Sequence, residues 1–267
     1  MTLSTIRNNP AKQKKVKTKK QKAIAATCAV AFWLSVWHVV SLCVGSEIVL
    51  VSPVKVVQTL FTVIFDPDFL KTVWYSAARI LGGVFTALTL GTVLGWVASR
   101  FWVVETLLRP ITAVIKATPV ASFIILVLLW FSGKNLSVII SMLMVFPVIY
   151  MNVLEGIRSA DEKLLEMAQV FRLSVGKKLL YIYLPAVAPF FVSACSVSLG
   201  LCWKSGIAAE VIGTPDGSIG AVFYQAKIFL QTSELLAWTV VVVAVSVAFE
   251  KLFMFLLRLV LKKLKME

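Results

Sequence analysis

Residues 161–185 read DEKLLEMAQVFRLSVGKKLLYIYLP, a charged stretch that runs directly into an apolar one. The chain around it is far more apolar, since 59% of its 267 residues are hydrophobic and the mean hydropathy is +0.90. Soluble domains contain about 45–50% apolar residues, so this composition predicts a membrane protein. The stretch is therefore a polar segment near the middle of a lipid-soluble chain.

On both sides of this stretch, long apolar runs indicate membrane-spanning helices. A helix needs roughly 20 apolar residues to cross the hydrocarbon core. The run at 117–133 is shorter than this, so its span is predicted to extend toward Ile111. The interval 47–71 is predicted to be a loop with a short surface helix, and 132–135 a tight polar turn. The six predicted spans, which make this an all-α membrane protein, are 23–46, 80–99, 117–133, 135–154, 181–202 and 235–257.

The spans form one predicted domain, residues 23–260, between two basic tails at 1–22 and 261–267. The first tail contains the Lys-rich run KQKKVKTKKQK, which predicts a segment that is disordered or lies on lipid headgroups. Within the domain, the segment at about 158–185 is predicted to be the main polar loop.

Lys and Arg residues concentrate on one side of the predicted spans. The formal net charge is +14, and these charges lie between apolar runs. Cytoplasmic loops of membrane proteins are rich in Lys and Arg, so the distribution indicates membrane orientation and not a nucleic-acid-binding face. We expect a multi-pass protein of the plasma membrane with both termini and the 155–183 loop in the cytoplasm. Outside the tails, the basic side holds Arg100, Arg109, Lys116, Arg158, Lys163, Arg172, Lys177 and Lys178.

The sequence lacks the common motifs of enzymes. It contains no G-x-x-x-x-G-K-[ST] phosphate loop, no H-E-x-x-H and no G-x-S-x-G. The single histidine, His38, and the four scattered cysteines do not have the spacing of a metal site. We therefore expect no catalytic residue, no bound metal and no nucleic-acid partner.

The first half of the opening stretch has the pattern of a short amphipathic helix. Acidic residues gather at its start and basic residues at its end, which suits the helix dipole. Ser159 or Asp161 could cap its N-terminus, and Gly176 could end it. By periodicity alone, a helix lying on the headgroups and a docking element are both open. The apolar positions predicted to share one face are Leu164, Ala168, Phe171 and Val175.

The same stretch resembles the EAA loop of permease subunits of binding-protein-dependent ABC importers. That family's pattern is E-A-A, three residues, Gly, nine residues, then I-x-L-P. Here Met167 replaces the first Ala, and Arg172 stands at the usual Gly position. The positions that match the pattern are Glu166, Ala168, Ile182, Leu184 and Pro185. This match, in a loop before the penultimate span, favours the docking interpretation.

The resemblance extends over roughly residues 70–260 and is greatest to the nitrate/sulfonate/taurine group of these permeases. It depends on the order of several short motifs, each of which is weak alone. They are Arg109-Pro110, Thr118-Pro119, LWFSG at 129–133, Phe146-Pro147, Leu184-Pro185 with Pro189, and Ala209-Glu210 before a Gly-rich segment. The resemblance implies a type I ABC importer permease with the MetI-like fold and a cytoplasmic coupling helix.

The resemblance also implies a set of partners in a bacterial inner membrane. Two permease subunits, here expected to be a homodimer, would form the pore within the lipid. Each would present its loop to one of two cytoplasmic ATPase subunits, while an extracytoplasmic solute-binding protein delivers a small solute. ATP and Mg²⁺ would be bound by the ATPase, so this chain is expected to hold no cofactor and not to be an enzyme. A sulfonate-like organic anion is the candidate solute.

Within the loop, the resemblance assigns one set of residues to ATPase coupling. Glu166 would cap or pair within the loop. Pro185 would keep Leu184 out of the helical region and so mark the joint with the fifth span. The set consists of Glu166, Ala168, Phe171, Arg172, Val175, Gly176, Leu184 and Pro185.

Four residues near the predicted outer ends of the spans are candidates for the solute path. Lys204 and Glu210 lie six residues apart, and ionisable groups at membrane depth tend to mark pathways. Lys204 could instead lie at the interface, where its long side chain reaches the headgroups. Arg79 could pair with Glu210 or attract anions, and Trp130 completes the set. The alternative function, a secondary transporter or channel subunit, is disfavoured because no inverted repeat is evident.

Overall fold

The computed structural model describes residues 19–263, and side chains from Ile24 onward. Every regular element within those residues is a helix. The predicted tail at 1–22 and the last residues of the tail at 261–267 lie largely outside the described residues. The chain divides into two compact units, Met1–Val54 and Lys55–Glu267.

The first unit contains helix α1, Lys19–Val44, which begins three residues before the predicted end of the basic tail. Gly45 follows with φ of +64°, and its N–H donates to the Ser41 carbonyl at 3.1 Å, which closes the helix. The Ser41 hydroxyl donates to the Leu50 carbonyl at 3.2 Å and folds the following turn back onto the helix end.

Helix α2, Pro53–Ile64, confirms the short helix predicted between the first two spans. The second unit contains the remaining helices, of which α3, α6, α9 and α11 are longer than the charge-free runs suggest. They are α3 (Phe69–Arg100), α4 (Trp102–Ala117), α5 (Val120–Trp130), α6 (Gly133–Arg158), α7 (Glu162–Val170), α8 (Val175–Lys178), a π-helical turn (Leu179–Tyr183), α9 (Leu184–Gly213), α10 (Ile219–Ile228) and α11 (Thr232–Lys263).

Five helical segments among the described residues are long and apolar enough to cross a membrane. The count is six if the bent pair α4 and α5 forms one span. The predicted number of six spans is confirmed if α4 and α5 together count as one broken span.

The third span differs most from its prediction at 117–133. Its helix stops at Ala117 and resumes at Val120, and the two parts are bent by 110°. Pro119 causes the break, because its ring disfavours the α region for the preceding residue, and Thr118 is indeed extended at ψ 134°. With 11 residues, α5 is only about 16 Å long, too short to cross the hydrocarbon core by itself.

The core of the second unit forms where α3, α6 and α9 pack together. Ile80, Val145, Ile149 and Leu199 are at most 1% exposed and belong to one cluster. Three glycines on one face of α3 allow the backbones to approach: a Cβ on Gly91 would lie 2.9 Å from the Ile149 Cβ. Such close approach of small residues is a usual means of helix association in membranes.

The fifth span was predicted to end at residue 202, but α9 continues to Gly213. Glu210 therefore lies inside the helix and not in a loop after it. The charge-free run stops before Lys204, although this exposed residue lies within α9, so a run that ends at the first charged residue gives too short a span. Helix α10 begins where the Gly-rich segment ends, and the apolar pattern does not predict it.

Candidate functional site

The loop between α6 and α9 forms the candidate functional site, and we call this end of the second unit the loop end. Asp161 caps α7, since its side chain accepts a hydrogen bond of 2.9 Å from the Lys163 N–H. The Ser159 hydroxyl instead donates to the Gly156 carbonyl at 2.9 Å. Of the two predicted caps, Asp161 is thus the one that is used.

Helix α7 ends six residues before the predicted stop at Gly176. Arg172 adopts the left-handed conformation with φ of +51°. Its N–H donates to the Gln169 carbonyl at 3.0 Å, and the Leu173 N–H donates to the Ala168 carbonyl at 2.9 Å. These two bonds form a Schellman motif, which favours Gly at the left-handed position. Arg172 stands where the EAA pattern has Gly, so the geometry explains that feature of the pattern.

The predicted apolar face of the loop helix is wrong in its second half. Ala168 is fully buried and packs with Ala160 and Ile182, at the end of α6 and in the π-helical turn. Phe171 and Val175, by contrast, are 70% and 78% exposed. Because the chain reverses at Arg172, Val175 begins a new helix and does not continue the face of α7.

The exposed side of α7 carries an apolar surface, which we call the loop patch and define as Leu164, Met167, Val170 and Phe171. These four positions fall within about a third of the helix circumference, at 100° per residue. Val170 is 79% exposed and Phe171 70% exposed, although α7 follows a charged segment. Where a surface faces water, large apolar side chains clustered in this way usually mark an interaction surface.

Glu166 lies on α7 with an exposed side chain. The ion pairs of the described residues join Lys71 with Asp68, and Arg109 and Arg158 with Glu105, so none of them involves Glu166. A role of Glu166 in the loop therefore stays a prediction, and its exposed side chain is available to a partner.

The joint between the loop and the fifth span is a continuous helix. Leu184 is helical, with φ of −65° and ψ of −43°, so the prediction that Pro185 moves it out of the helical region is wrong. The turn before the proline widens instead, and the Leu184 N–H donates to the carbonyl of Leu179, five residues earlier. A π-helical turn accommodates the proline ring and its missing N–H without breaking the helix.

At the opposite end of the second unit, Glu210 is fully buried and joins three helices. Its Oε2 accepts hydrogen bonds from the Ser76 hydroxyl of α3 at 2.6 Å and from the Gly220 N–H of α10 at 3.3 Å. The Ser76 oxygen also accepts from the Ile219 N–H at 2.9 Å. The first amides of α10 are thus satisfied by side chains of two other helices, which a sequence reading of Glu210 alone could not reveal.

Of the other candidates for the solute path, Arg79 lies within electrostatic range of Glu210 but is not bonded to it. The Arg79 guanidinium lies 4.4 Å from the centre of the Tyr75 ring, a cation–π contact, and does not form a salt bridge with Glu210. Lys204 is exposed on α9, and Trp130 is 75% exposed at the end of α5. Within residues 19–263, no cluster of His, Cys, Asp or Glu could hold a metal ion.

Known proteins resemble this chain over most of its length. The family model described as "Binding-protein-dependent transport system inner membrane component" matches residues 87–266. A chain of Bacillus subtilis (strain 168) that carries the name aliphatic sulfonates transport permease protein SsuC is 29% identical over 216 residues, which are 80% of this chain and 78% of that one. The taurine transport system permease protein TauC of Escherichia coli (strain K12) is 26% identical over 220 residues, 80% of each chain.

One solved structure, titled "Crystal structure of an amino acid ABC transporter with histidines", aligns with a TM-score of 0.52 and 16% identity. The alignment covers 73% of this chain and 96% of that chain. A likeness at this identity shows the fold, and it agrees with the all-α permease architecture expected from the sequence. Since the family model matches well over half of its residues, the chain belongs to the family of inner membrane components of binding-protein-dependent transport systems.

Proposed function

We propose that this chain is the pore-forming subunit of an ABC importer and that α7 couples the pore to a cytoplasmic ATPase. The observation that carries the proposal is the exposed loop patch. A partner that covers Val170 and Phe171 would remove apolar surface from water, which is the main favourable term in most protein association. ATP binding and hydrolysis would belong to that partner, and this chain would have no catalytic residue or cofactor of its own.

A protein partner fits the loop patch better than the membrane surface does. Helices that lie on anionic lipid headgroups carry Lys and Arg on their polar face. Helix α7 carries Glu162 and Glu166 against a single Lys163, and its N-cap is Asp161. An acidic helix with an apolar side suits a cleft in a protein and would be repelled by anionic headgroups.

The packing behind α7 provides a path for the coupling. Ala168 packs in one buried cluster with Ala160, just after α6, and Ile182 in the π-helical turn. That turn continues without a break into α9, the fifth span. A partner that moves α7 would therefore move the start of α9, as required for a two-state coupling between ATP and pore access.

The names of the relatives support a sulfonate-like organic anion as the solute, since two of them are called sulfonate and taurine permeases. In our proposal, a solute-binding protein delivers the anion, two copies of this chain form the pore, and both termini face the cytoplasm. The Lys and Arg residues at the loop end support this orientation.

A test of the coupling role compares two exposed phenylalanines. Phe171→Ala removes the centre of the loop patch, while Phe255→Ala removes a phenylalanine that is 60% exposed on α11. Truncation of a central interface aromatic often costs about 2 kcal/mol or more, which is at least roughly a tenfold loss of affinity. We expect Phe171→Ala to reduce co-purification with the ATPase accordingly and Phe255→Ala to leave it unchanged.

A second variant, Glu166→Lys, reverses the charge of an exposed residue on α7 and should reduce ATPase binding and solute-stimulated ATP hydrolysis while the chain remains folded. The alternative function, a secondary transporter or channel subunit, makes a different prediction. Uptake into proteoliposomes that contain only this chain, without any ATPase, would refute the importer proposal.

A further inference from the structure

The side chain of Glu210 uses only one of its two oxygens. Its Oε2 accepts the hydrogen bonds from the Ser76 hydroxyl and the Gly220 N–H. Its Oε1 is buried and has no hydrogen-bond partner among the described residues. Ser137 of α6 lies next to this carboxyl, and its Oγ is likewise buried without a partner in that part of the chain. Buried polar groups are nearly always hydrogen-bonded, so two such oxygens at one place indicate that a hydrogen belongs between them.

The carboxyl of Glu210 also has no cation bonded to it. None of the ion pairs within residues 19–263 includes Glu210. Arg79 of α3 lies within electrostatic range, but its guanidinium is placed over the Tyr75 ring, 4.4 Å from the ring centre. An ionised carboxylate without a bonded counter-ion is very costly to bury, and such a group is usually neutralised instead.

The other charged side chains on the elements around Glu210 lie at the surface. Lys134 is in the first turn of α6, Lys204 is on α9, and Lys227 is near the end of α10. Asp216 is in the turn between α9 and α10. All four are exposed, and water and salt screen charges at exposed positions. These groups therefore compensate a buried carboxylate only weakly.

The first turn of α10 covers the Glu210 side chain. A Cβ on Gly220 would collide with Glu210, so this turn packs directly against it. The Ile219 N–H donates to the Ser76 oxygen, and Ile219 is fully buried. An ionised carboxylate could therefore reach water only if the start of α10 moved away from α9.

We propose that Glu210 and Ser137 form a proton-binding site that holds the start of α10 in place. The proton comes from water, is bound to Oε1 of Glu210 and is donated to the Ser137 oxygen, while Oε2 keeps its two hydrogen bonds. When the proton is lost, a negative charge remains in the core, and the outward movement of α10 relieves it by admitting water. The site is a pH-sensitive latch at the end of the second unit opposite the loop end. It depends neither on the solute nor on an ATPase.

Thermal unfolding of the full-length chain in a neutral detergent, from about pH 5 to about pH 8, would measure the bound proton. The unfolded chain releases this proton above about pH 4.3, whereas the native state retains it. The unfolding midpoint should therefore fall as the pH rises, by roughly 3–5 °C per pH unit, until the native carboxyl ionises as well.

Two variants separate this effect from other titrations. Glu210→Gln has an amide that can make the same three hydrogen bonds and has no proton to lose, so its midpoint should lack this part of the slope. The matched control, Asp216→Asn, removes an exposed carboxyl six residues away and should keep the slope of the unmodified chain.

Infrared spectroscopy gives a readout that a purely structural role would not change. The C=O stretch of a protonated carboxyl is separate from the amide and carboxylate bands. It should appear when the spectrum of Glu210→Gln at neutral pH is subtracted from that of the unmodified chain. Ser137→Ala should shift this band, because the carboxyl O–H loses its acceptor.

Three results would overturn the proposal. A carboxylate band in place of the carboxyl band would show that Glu210 is ionised, with Arg79 or a bound water compensating it. Parallel midpoint curves for Glu210→Gln and the unmodified chain would show that no proton is bound there. A carboxyl band that Ser137→Ala leaves unchanged would exclude Ser137 as the acceptor. If Glu210→Gln does not fold, the comparison of Ser137→Ala with the unmodified chain still decides the question.

Discussion

At the residue scale, two side chains determine local structure in ways that their neighbours in sequence do not reveal. Arg172 holds the left-handed position that ends α7, with φ of +51°. Glu210 holds the start of α10 against α3 and α9 through its buried carboxyl group. Arg172 matters because its backbone adopts the conformation that ends the helix, and Glu210 matters because its side chain accepts a hydrogen bond from the Gly220 N–H.

Replacing Arg172 by Gly is expected to stabilise the loop by about 0.5–1 kcal/mol. A residue with a Cβ loses roughly 1–2 kcal/mol in the left-handed region, and the larger backbone entropy of Gly in the unfolded chain offsets part of the gain. Hydrogen exchange of the Leu173 amide, which bonds to the Ala168 carbonyl, would measure the change as slower exchange. Arg172→Ala is the control, since it removes the guanidinium and keeps the strain; if it slows exchange equally, the backbone explanation is wrong.

Replacing Glu210 by Ala is expected to destabilise the protein by about 2–4 kcal/mol, because the Gly220 N–H and the Ser76 hydroxyl lose their buried acceptor. Thermal unfolding in detergent would show a lower midpoint. Ser76→Ala should act in the same direction, and the double variant should cost less than the sum of the two, since both residues belong to one network. Loss of uptake with unchanged stability and additive effects would instead support Glu210 as a residue of the solute path.

At the element scale, the pairing of α3 with α6 depends on which face of α3 carries glycine. Gly82 and Gly83 are adjacent in sequence, yet a Cβ on Gly83 would collide with the Val138 carbonyl, while one on Gly82 would meet nothing within 4 Å. Gly91 and Gly95 continue the contact along α6 against Ile149 and Val153. Ser76 also lies on α3, and its hydroxyl bonds to Glu210 of α9, so α3 contacts both α6 and α9 in the same core.

This pair of glycines gives a matched test of helix packing. Gly83→Ala should destabilise the protein by about 1–3 kcal/mol, the usual effect of forcing an extra carbon into a packed contact. Gly82→Ala should be neutral or stabilise by up to about 1 kcal/mol, because Ala favours the helix and space is available. Thermal unfolding of both variants in the same detergent would measure the difference. Equal effects would mean that α3 and α6 are not packed at Gly83.

At the scale of the whole molecule, the distribution of charge predicts orientation in the membrane. Lys177 lies at the loop end, and Lys134 lies at the opposite end of α6, inside the helix and not in the tight turn predicted at 132–135. Loops rich in Lys and Arg remain in the cytoplasm, and the loop end holds most of these residues. The loop end is therefore expected on the side of the membrane where an ATPase would be available.

Cysteine labelling would measure this orientation. Cys28 and Cys43 are exposed and would be replaced by Ala, whereas Cys195 and Cys202 are buried. A membrane-impermeant maleimide should label Lys134→Cys in intact cells and label Lys177→Cys only after the membrane is permeabilised. The reverse pattern would show that the charge distribution does not determine the orientation of this chain.

Several features of fold and site were predictable from the sequence because they depend on local patterns. The apolar runs identified the spans, since hydrocarbon thickness fixes the length that a spanning helix needs. Ser159 and Asp161 were both predicted as possible caps from their position before a helical pattern, and the structure uses Asp161. The break of the third span at Pro119 was not predicted, although it depends on the local effect of the proline on Thr118. The EAA pattern located the loop, and the family match agrees with it.

The sequence by itself thus determined the class of protein, the spans and the place of the loop, because hydropathy and caps act over a few residues. Only the tertiary structure decided that Ala168 is buried while Phe171 is exposed, since the reversal at Arg172 separates positions that share a face in a continuous helix. It also decided that Glu210 lies in the core, because its partner Ser76 is 134 residues away in the chain. A buried polar group depends on which helices meet around it, and helix packing is a long-range property that no local pattern specifies.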